Sequence, residues 1–364
     1  MSGRTLSSGI KLAAIALTVL GLLLSSCGDD NITGSSGDRS FTVYLMEYTS
    51  ENTVYGYNTG TSEVDSFYFP YSTRTNPFVV SPDGELFYLS NGSHIVIIDA
   101  ESKTAIDSFP CDIDGEVKAI SPNGRYIAMV DDEVGIINLD TRSIIYRKDC
   151  GQSYSAVFTG DSKAFYYIGE GSGDDGPLTR VSTENPSDIT WYNFSDGGIY
   201  YMVPSKDDSL WYVFLFVGYP LDYSYFRVYD PINDSTLFDT LFAPLGGQIE
   251  VSSDDKNVFF TAPGTVFSET PAPYKVMVYN RRKNSTVEPI STREIGEDER
   301  SINAGALYVT PDNQYLLIGS SLTVSAVGVY DIRAKEFVDY YYVGGSRMIQ
   351  DLIGPPRPFH WGKI

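Results

Sequence analysis

A four-residue turn motif recurs six times along the chain and constrains its fold more than any other feature. The copies occupy residues 81–84, 121–124, 159–162, 205–208, 252–255 and 310–313, and successive copies start 40, 38, 46, 47 and 58 residues apart. In the clearest copies, Ser-Pro-Asp-Gly and Ser-Pro-Asn-Gly, proline fixes φ, Asp or Asn accepts local main-chain hydrogen bonds, and glycine ends the turn in the left-handed conformation. A turn repeated at this spacing predicts a repeat architecture.

Apolar stretches on both sides of each turn predict antiparallel strands. Residues 78–80 precede the first turn and residues 86–89 follow it, which is typical of a strand–turn–strand unit. A third strand in each unit is predicted to end in an apolar or aromatic residue before a turn former: Tyr57-Asn58, Ile98-Asp99, Leu139-Asp140, Val181-Ser182, Tyr229-Asp230, Tyr279-Asn280 and Tyr330-Asp331. Fourth strands are predicted at residues 105–109, 143–147, 189–194, 236–242, 287–290 and 337–343.

Four antiparallel strands in each unit predict an all-β fold, a seven-bladed β-propeller. Residues 41–364, divided among seven blades, give about 46 residues each, near the spacing of the turns. The first unit holds only three strands, at residues 41–48, 53–57 and 63–69, and residues 348–353 supply one more at the other end of the chain. We therefore expect the ring to close through one blade of three N-terminal strands and one C-terminal strand, which removes open sheet edges where the chain ends meet.

The repeat resembles a known class. Residues 81–109 resemble the YVTN-type seven-bladed β-propeller repeat, in which a Ser-Pro-Asp-Gly turn is followed by an apolar strand and then by a Val-x-Val-Ile-Asp strand. Residues 121–147 match less closely, and in blades 3 to 6, numbered by their turn motif, insertions stretch the repeat. The resemblance implies a fold, and the wider group includes binding, scaffolding and enzymatic members, so it leaves the function open.

The start of the chain is predicted to be a leader at residues 1–26. An apolar run at residues 12–24 follows a positively charged start, as in secretory signal peptides. Residues 24–27 (Leu-Ser-Ser-Cys) resemble the bacterial lipobox, which implies cleavage before Cys27 and lipidation of that cysteine; an ordinary signal peptide with an incidental cysteine is the alternative. Residues 27–40 predict a flexible tether. The expected location is the bacterial cell envelope, lipid-anchored and extracytoplasmic, with the periplasmic and surface leaflets both open.

The charge balance excludes some partner classes. The chain carries 47 acidic and 26 basic residues, a net charge of -21, whereas nucleic-acid binding needs clustered Lys and Arg. Membrane attachment is therefore expected through the lipid on Cys27 rather than through a basic patch. Two histidines and three cysteines leave few ligands for a metal site, so we expect neither a metal nor a cofactor. We also expect the chain to be monomeric.

Insertions collect on one predicted face of the propeller. Connections from the second to the third strand of a blade, and from one blade to the next, share a face, hereafter the loop face. Four insertions fall there, at residues 169–177, 217–223, 262–273 and 291–303. Because recognition residues commonly lie in loops on a rigid scaffold, the loop face of blades 3 to 6 is the predicted interaction surface; neutral loop drift is the alternative.

Candidate ligand-binding residues lie in blade 4. They are Tyr219, Asp222, Tyr223 and Tyr225. Tyrosine rings stack on sugar or aryl groups, and strand or rim packing is the competing interpretation. We expect an envelope protein or a glycan as the partner.

Cys111 and Cys150 form the one candidate disulfide once Cys27 carries lipid. They lie 30 and 29 residues after Ser81 and Ser121, at equivalent positions of adjacent blades. An exported compartment permits a bridge, but the outer strands of neighbouring blades diverge, so two free thiols are the alternative.

The sequence favours a binding or scaffolding module over an enzyme. The only histidines are His94 and His360, and neither has a triad-like neighbourhood. No nucleophile elbow, phosphate-binding glycine loop or metal-type Cys/His spacing occurs, so no catalytic residue is predicted. The alternative is a propeller hydrolase or lyase, lactonase-like, with a site at the mouth of the central channel, since abundant carboxylates always permit some pair in space.

Overall fold

The computed structural model describes thirteen segments of the chain. They are residues 42–47, 53–68, 78–151, 156–169, 177–194, 197–217, 223–242, 248–261, 275–293, 302, 304–320, 326–342 and 349–353. These residues form seven four-stranded antiparallel sheets and contain no helix. They belong to one compact unit, Ser40–Ile364. The predicted leader and most of the predicted tether, residues 1–39, lie outside the described residues.

The strands follow the predicted order. In chain order, β1 (Thr42–Glu47), β2 (Thr53–Asn58) and β3 (Glu63–Tyr68) belong to the closing blade, which joins the chain ends. Blade 1 contains β4 (Phe78–Val80), β5 (Leu86–Ser90), β6 (His94–Asp99) and β7 (Ala105–Pro110); blade 2 contains β8 (Glu116–Ile120), β9 (Tyr126–Val130), β10 (Glu133–Asn138) and β11 (Ser143–Asp149); blade 3 contains β12 (Ala156–Phe158), β13 (Ala164–Ile168), β14 (Leu178–Ser182) and β15 (Ile189–Tyr192). Blade 4 contains β16 (Gly198–Pro204), β17 (Trp211–Val217), β18 (Tyr223–Asp230) and β19 (Ser235–Phe242); blade 5 contains β20 (Ile249–Val251), β21 (Asn257–Thr261), β22 (Lys275–Asn280) and β23 (Ser285–Ser291); blade 6 contains β24 (Ala304–Val309), β25 (Tyr315–Ser320), β26 (Ala326–Asp331) and β27 (Glu336–Tyr342); and β28 (Ile349–Ile353) returns to the closing blade.

The ring closes as the sequence predicts. The closing sheet has the order β28-β1-β2-β3, with Tyr44 opposite Ile353 and Leu45 opposite Leu352. First strands of successive blades contact one another from β4 through β8, β12, β16, β20 and β24 to β28. They therefore form the inner wall, and the fourth strands form the outer rim. This confirms the seven-bladed propeller and its three-plus-one closure.

The core lies between the blades. Seven hydrophobic clusters occupy the seven blade junctions in the part of the chain that the structure describes. At the junction of blades 4 and 5, Phe226 stacks on Phe260 with ring centroids 4.0 Å apart. At the junction of the closing blade and blade 1, Tyr44 packs edge-on against Phe87 at 4.7 Å. Burying a side chain of this size contributes about 1.5–3 kcal/mol, so the junctions rather than the single sheets stabilise the ring.

The recurrent turn is held by one hydroxyl. In the first copy, Ser81 Oγ accepts a hydrogen bond from the Leu86 amide at 2.9 Å and donates one to Asp83. The first and third residues of the other five copies make the same side-chain bond. The fourth residue has positive φ in all six copies: Gly84, Gly124, Ser162, Asp208, Asp255 and Asn313. The four later copies thus lose the glycine at the fourth position, and three of them lose the proline, which only the last copy keeps as Pro311. All four keep the hydroxyl and the carboxylate that close the turn.

Candidate functional site

Most predicted recognition loops of blades 3 to 6 lie outside the described residues. This holds for the interiors of the four insertions and for two candidate ligand-binding residues, Tyr219 and Asp222. Tyr223 begins β18, where its main chain pairs with Val217. The structure therefore describes this face best in blades 1 and 2.

Tyr225 lies in the sheet of blade 4. It pairs with Leu215 on one side and Leu241 on the other. Its half-buried ring packs against the cluster at the junction of blades 3 and 4, which includes Trp211 and Tyr229. This position matches the packing interpretation of the tyrosine more closely than that of a free stacking platform.

A depression of about 490 Å³ opens on the loop face beside blade 1. Its lining residues are Gly92, Ser93, His94, Pro110, Cys111, Asp112 and Asp114. One wall comes from the β5–β6 connection and the other from the connection between blades 1 and 2. The His94 ring is half-buried, and its Nδ1 lies 2.9 Å from Ser93 Oγ. The depression can hold a small ligand group, with one imidazole and two carboxylates at its wall.

An acidic rim continues from this depression into blade 2. It consists of Asp112, Asp114, Glu116, Asp131, Asp132 and Glu133. Arg147 pairs with Asp112 at 3.1 Å and with Glu133 at 2.8 Å, and Lys118 pairs with Glu116 at 2.6 Å. These two cations face six carboxylates, so the rim carries net negative charge.

The pKa of Asp131 shows the effect of the clustered negative charges on the rim. Burial raises the pKa of this carboxyl, and the neighbouring charges of Asp132, Glu116 and Asp114 raise it further. A cation placed beside Asp131 would relieve that repulsion. The chemistry of the rim therefore favours a positively charged ligand. The sequence reasoning missed the rim because its members come from two separate connections and the first residues of the strands that follow them, although Asp131, Asp132 and Glu133 are consecutive.

The two remaining cysteines are free thiols in separate blade junctions. Cys111 follows β7 and is buried, with its Sγ 3.4 Å from Met129 Sδ. Cys150 follows β11 and directs its Sγ toward the Gly151 carbonyl oxygen at 3.2 Å. Burial raises the pKa of both thiols, that of Cys150 to about 11, so both are protonated at neutral pH.

Two partly buried polar clusters lie on the opposite face, where the recurrent turns meet neighbouring blades. At the junction of blades 3 and 4, the Tyr166 hydroxyl donates to Asp208 Oδ1 at 2.9 Å, and Arg180 lies 3.9 Å from the same carboxylate. Burial raises the pKa of Asp208, and hydrogen bonding to Tyr166 opposes this rise. These residues were not candidates in the sequence analysis.

The second cluster occupies the junction of blades 4 and 5. Arg281 binds Asp255 through Nη1 and Asp207 through Nη2, the latter at 3.3 Å. Asp255 Oδ1 and the Tyr212 hydroxyl are buried and make no hydrogen bond within the described part of the chain. Burial raises the pKa of Asp255 to about 6, with Asp207 adding to the rise and Arg281 opposing it. The cluster has the character of a structural ion network, with Asp255 buried and Asp207 at its solvent-exposed edge.

The residues that the structure describes contain neither a metal-binding cluster nor a membrane-spanning helix. No group of three or more His, Cys, Asp and Glu side chains within them is arranged to hold a metal ion. No helix in those segments has the length and apolar character needed to cross a bilayer.

Comparison with solved structures supports the propeller fold. No protein-family model matches the chain, and no curated protein matches it in sequence. A functionally unknown protein from Desulfotomaculum acetoxidans superposes with a TM-score of 0.62 at 14% identity, covering 88% of this chain and 100% of that one. Hydrazine synthase from Kuenenia stuttgartiensis gives a TM-score of 0.58 at 14% identity, covering 74% of this chain and 86% of that one.

A third similar structure is a dihydro-heme d1 dehydrogenase, NirN, with a TM-score of 0.56 at 12% identity, covering 85% of this chain and 73% of that one. Identities this low establish similarity of fold alone. These structures therefore place the chain among β-propellers and do not select an activity.

Proposed function

We propose that this chain is a lipid-anchored propeller of the bacterial cell envelope that acts as a binding or scaffolding module through its loop face. The observation that carries the proposal is the acidic rim beside the 490 Å³ depression, both on the face where blade connections gather. The YVTN-type repeat and the lipobox support the propeller class and the anchor. The lipid on Cys27 holds the ring at a membrane surface.

The rim defines the chemistry of the ligand. Six carboxylates with two paired cations attract positive charge and repel anions. The depression beside them gives room for one side chain or one sugar unit. A protein with exposed lysine or arginine, or a glycan bearing free amines, fits this face.

The binding test compares oppositely charged probes. Calorimetry with hexalysine and hexaglutamate should show binding of hexalysine alone, weakening with added salt. The double variant Asp131→Asn, Asp132→Asn should lower the affinity about tenfold or more. Glu85→Gln, which neutralises an exposed carboxylate in a turn of the opposite face, is the matched control and should leave affinity unchanged. Equal weakening by the control would reject a localised site.

The anchor has its own test. The wild-type chain expressed in bacteria should partition into the detergent phase after extraction and incorporate labelled palmitate. Cys27→Ser should lose both properties while keeping the β-rich circular dichroism spectrum. Unchanged palmitate incorporation in Cys27→Ser would contradict lipidation at this cysteine.

A further inference from the structure

Strand β19 on the outer rim of blade 4 differs from the other outer strands. It is last in the sheet order β16-β17-β18-β19, and at eight residues it is the longest outer strand of the described chain. Natural sheets protect exposed edges with charges, proline or short length. The other outer strands have such features: Glu63 and Asp65 in β3, Pro110 in β7, Arg147 and Lys148 in β11, a length of four residues in β15, Pro289 in β23, and Glu336 and Asp339 in β27.

The one charge on β19 is compensated inside the blade. Asp239 Oδ2 lies 2.9 Å from Arg227 Nη2, and the two residues are direct partners in the β18–β19 register. The Arg227 side chain is only 10% exposed. The Asp239 carboxylate therefore protects the edge against pairing with another strand less than an unpaired surface charge would.

The strand is fixed in place from the side of blade 5. The Phe238 ring packs against Tyr279 of blade 5 at 5.1 Å and also against Phe226 of its own blade at 6.4 Å. Asn284 Nδ2 donates to the Leu237 carbonyl oxygen at 3.1 Å. A rigid edge loses little conformational entropy when another strand pairs with it.

The opposite side of β19 exposes apolar surface. Leu241 is 55% exposed and lies two residues from Asp239, so both side chains share one face of the strand. Leu237 is 42% exposed, and Ile232 in the preceding turn is 78% exposed. Within the described segments no strand pairs with the outer side of β19.

We propose that residues 238–242 of β19 dock an extended segment of a basic partner polypeptide by strand addition. Alternate residues of an edge strand direct their N–H and C=O groups outward, and an extended chain is the structure that satisfies both. An apolar side chain of the partner packs beside Leu241, and the partner's lysine or arginine side chains are attracted by the net negative charge of this chain.

Charge selects the partner. A second copy of this chain would bring together two molecules of net charge -21, and these repel, whereas a basic segment is attracted. The site lies on the outer rim of blade 4, away from the acidic rim of blades 1 and 2. It therefore does not depend on the proposed function of the loop face.

The test uses a short fluorescein-labelled peptide of alternating valine and lysine, with fluorescence anisotropy measured on the full chain. We expect saturable binding and slower amide hydrogen exchange at residues 238–242. Leu241→Lys should weaken the affinity about tenfold or more because it places a positive charge against the partner. Ile106→Lys is the matched control, since Ile106 is 57% exposed on outer strand β7, and it should leave the affinity unchanged. The same peptide N-methylated at alternate residues should lose binding because it cannot pair with the edge.

Several results would overturn the proposal. They are no saturable binding at millimolar peptide, equal weakening by Ile106→Lys, or undiminished binding of the N-methylated peptide. Slowed exchange at residues 131–133 instead of 238–242 would assign the peptide to the acidic rim. Dimers without peptide that Leu241→Lys abolishes would assign the edge to a second copy of the chain. The Asp131→Asn, Asp132→Asn variant should still bind the peptide at β19, which separates the two proposed surfaces.

Discussion

The hydroxyl of Tyr166 in blade 3 donates to the carboxylate of Asp208 in the turn of blade 4, at 2.9 Å. Tyr166 lies seven positions after the start of its turn motif, and Asp208 is the fourth residue of the next motif. Tyr212 and Asp255 occupy the same two positions one blade later, where both have buried polar atoms without a described partner. One geometric relation between neighbouring blades thus places a tyrosine beside a turn carboxylate at two junctions.

Tyr166→Phe should destabilise the propeller by about 1–3 kcal/mol, because it removes the hydroxyl and leaves the half-buried Asp208 with one donor fewer. Urea unfolding followed by tryptophan fluorescence measures the loss. Tyr88→Phe is the matched control, since Tyr88 holds the same position in blade 1 and the fourth residue of the next turn is Gly124, which has no carboxylate. Equal losses for both variants would show that the bond to Asp208 contributes nothing specific.

Asp255 predicts a pH dependence of stability. Its folded pKa of about 6 lies above the ordinary aspartate value of 3.8, so the folded chain binds more protons than the unfolded chain between these values. This residue therefore contributes a free energy of unfolding that decreases as pH rises from about 4 to about 6 and is constant above. The pKa of Asp207 is lowered to about 2, because hydrogen bonds from Ser209 and Ser205 and the charge of Arg281 together outweigh its burial. Asp207 therefore changes the free energy of unfolding only below about pH 4, outside the range in which Asp255 acts.

Asp255→Asn should remove this pH dependence, so that the free energy of unfolding decreases by about 1–3 kcal/mol less between pH 4 and pH 6 than in the wild type. Denaturant unfolding at pH 4, 5, 6 and 7 measures the profile as a difference from wild type. Asp254→Asn is the control, because the pKa of Asp254 is lowered rather than raised, and its profile should keep the wild-type slope above pH 4. A wild-type slope in Asp255→Asn would contradict the assignment.

The strands could be predicted from sequence because their signals are local. The turn motif shows where two strands meet, and the apolar stretches on both sides of it predict the strands themselves. Counting these strands was enough to predict the composite blade that β28 completes. The cluster around Arg281 could not be found in this way. It joins residues 26 and 74 positions apart along the chain, and only the lateral stacking of blades brings Asp207 and Asp255 to one guanidinium. The acidic rim was missed for the same reason.

Ser121→Ala should lower the free energy of unfolding by about 1–3 kcal/mol, because it removes the hydroxyl that holds the recurrent turn of blade 2. Ser121 is fully buried; its Oγ accepts from the Tyr126 amide at 2.9 Å and donates to Asn123 at 2.7 Å, so the alanine variant leaves a buried amide without that acceptor. Ser121→Thr should keep most of the stability, because Thr159 and Thr310 make the same bonds in their turns. If threonine were as destabilising as alanine, steric fit rather than the hydroxyl would control the turn.

The state of Cys111 and Cys150 can be measured directly by mass. In the structure each thiol packs in a different blade junction, and burial raises the pKa of both, so the thiolate that reacts with iodoacetamide is scarce in the folded chain. We expect slow alkylation of native protein at pH 7, and addition of two carbamidomethyl groups at these residues after unfolding in guanidinium without reductant. The Cys111→Ala, Cys150→Ala variant should add neither. Modification of the unfolded wild-type chain only after reduction would instead demonstrate a bridge between the two cysteines.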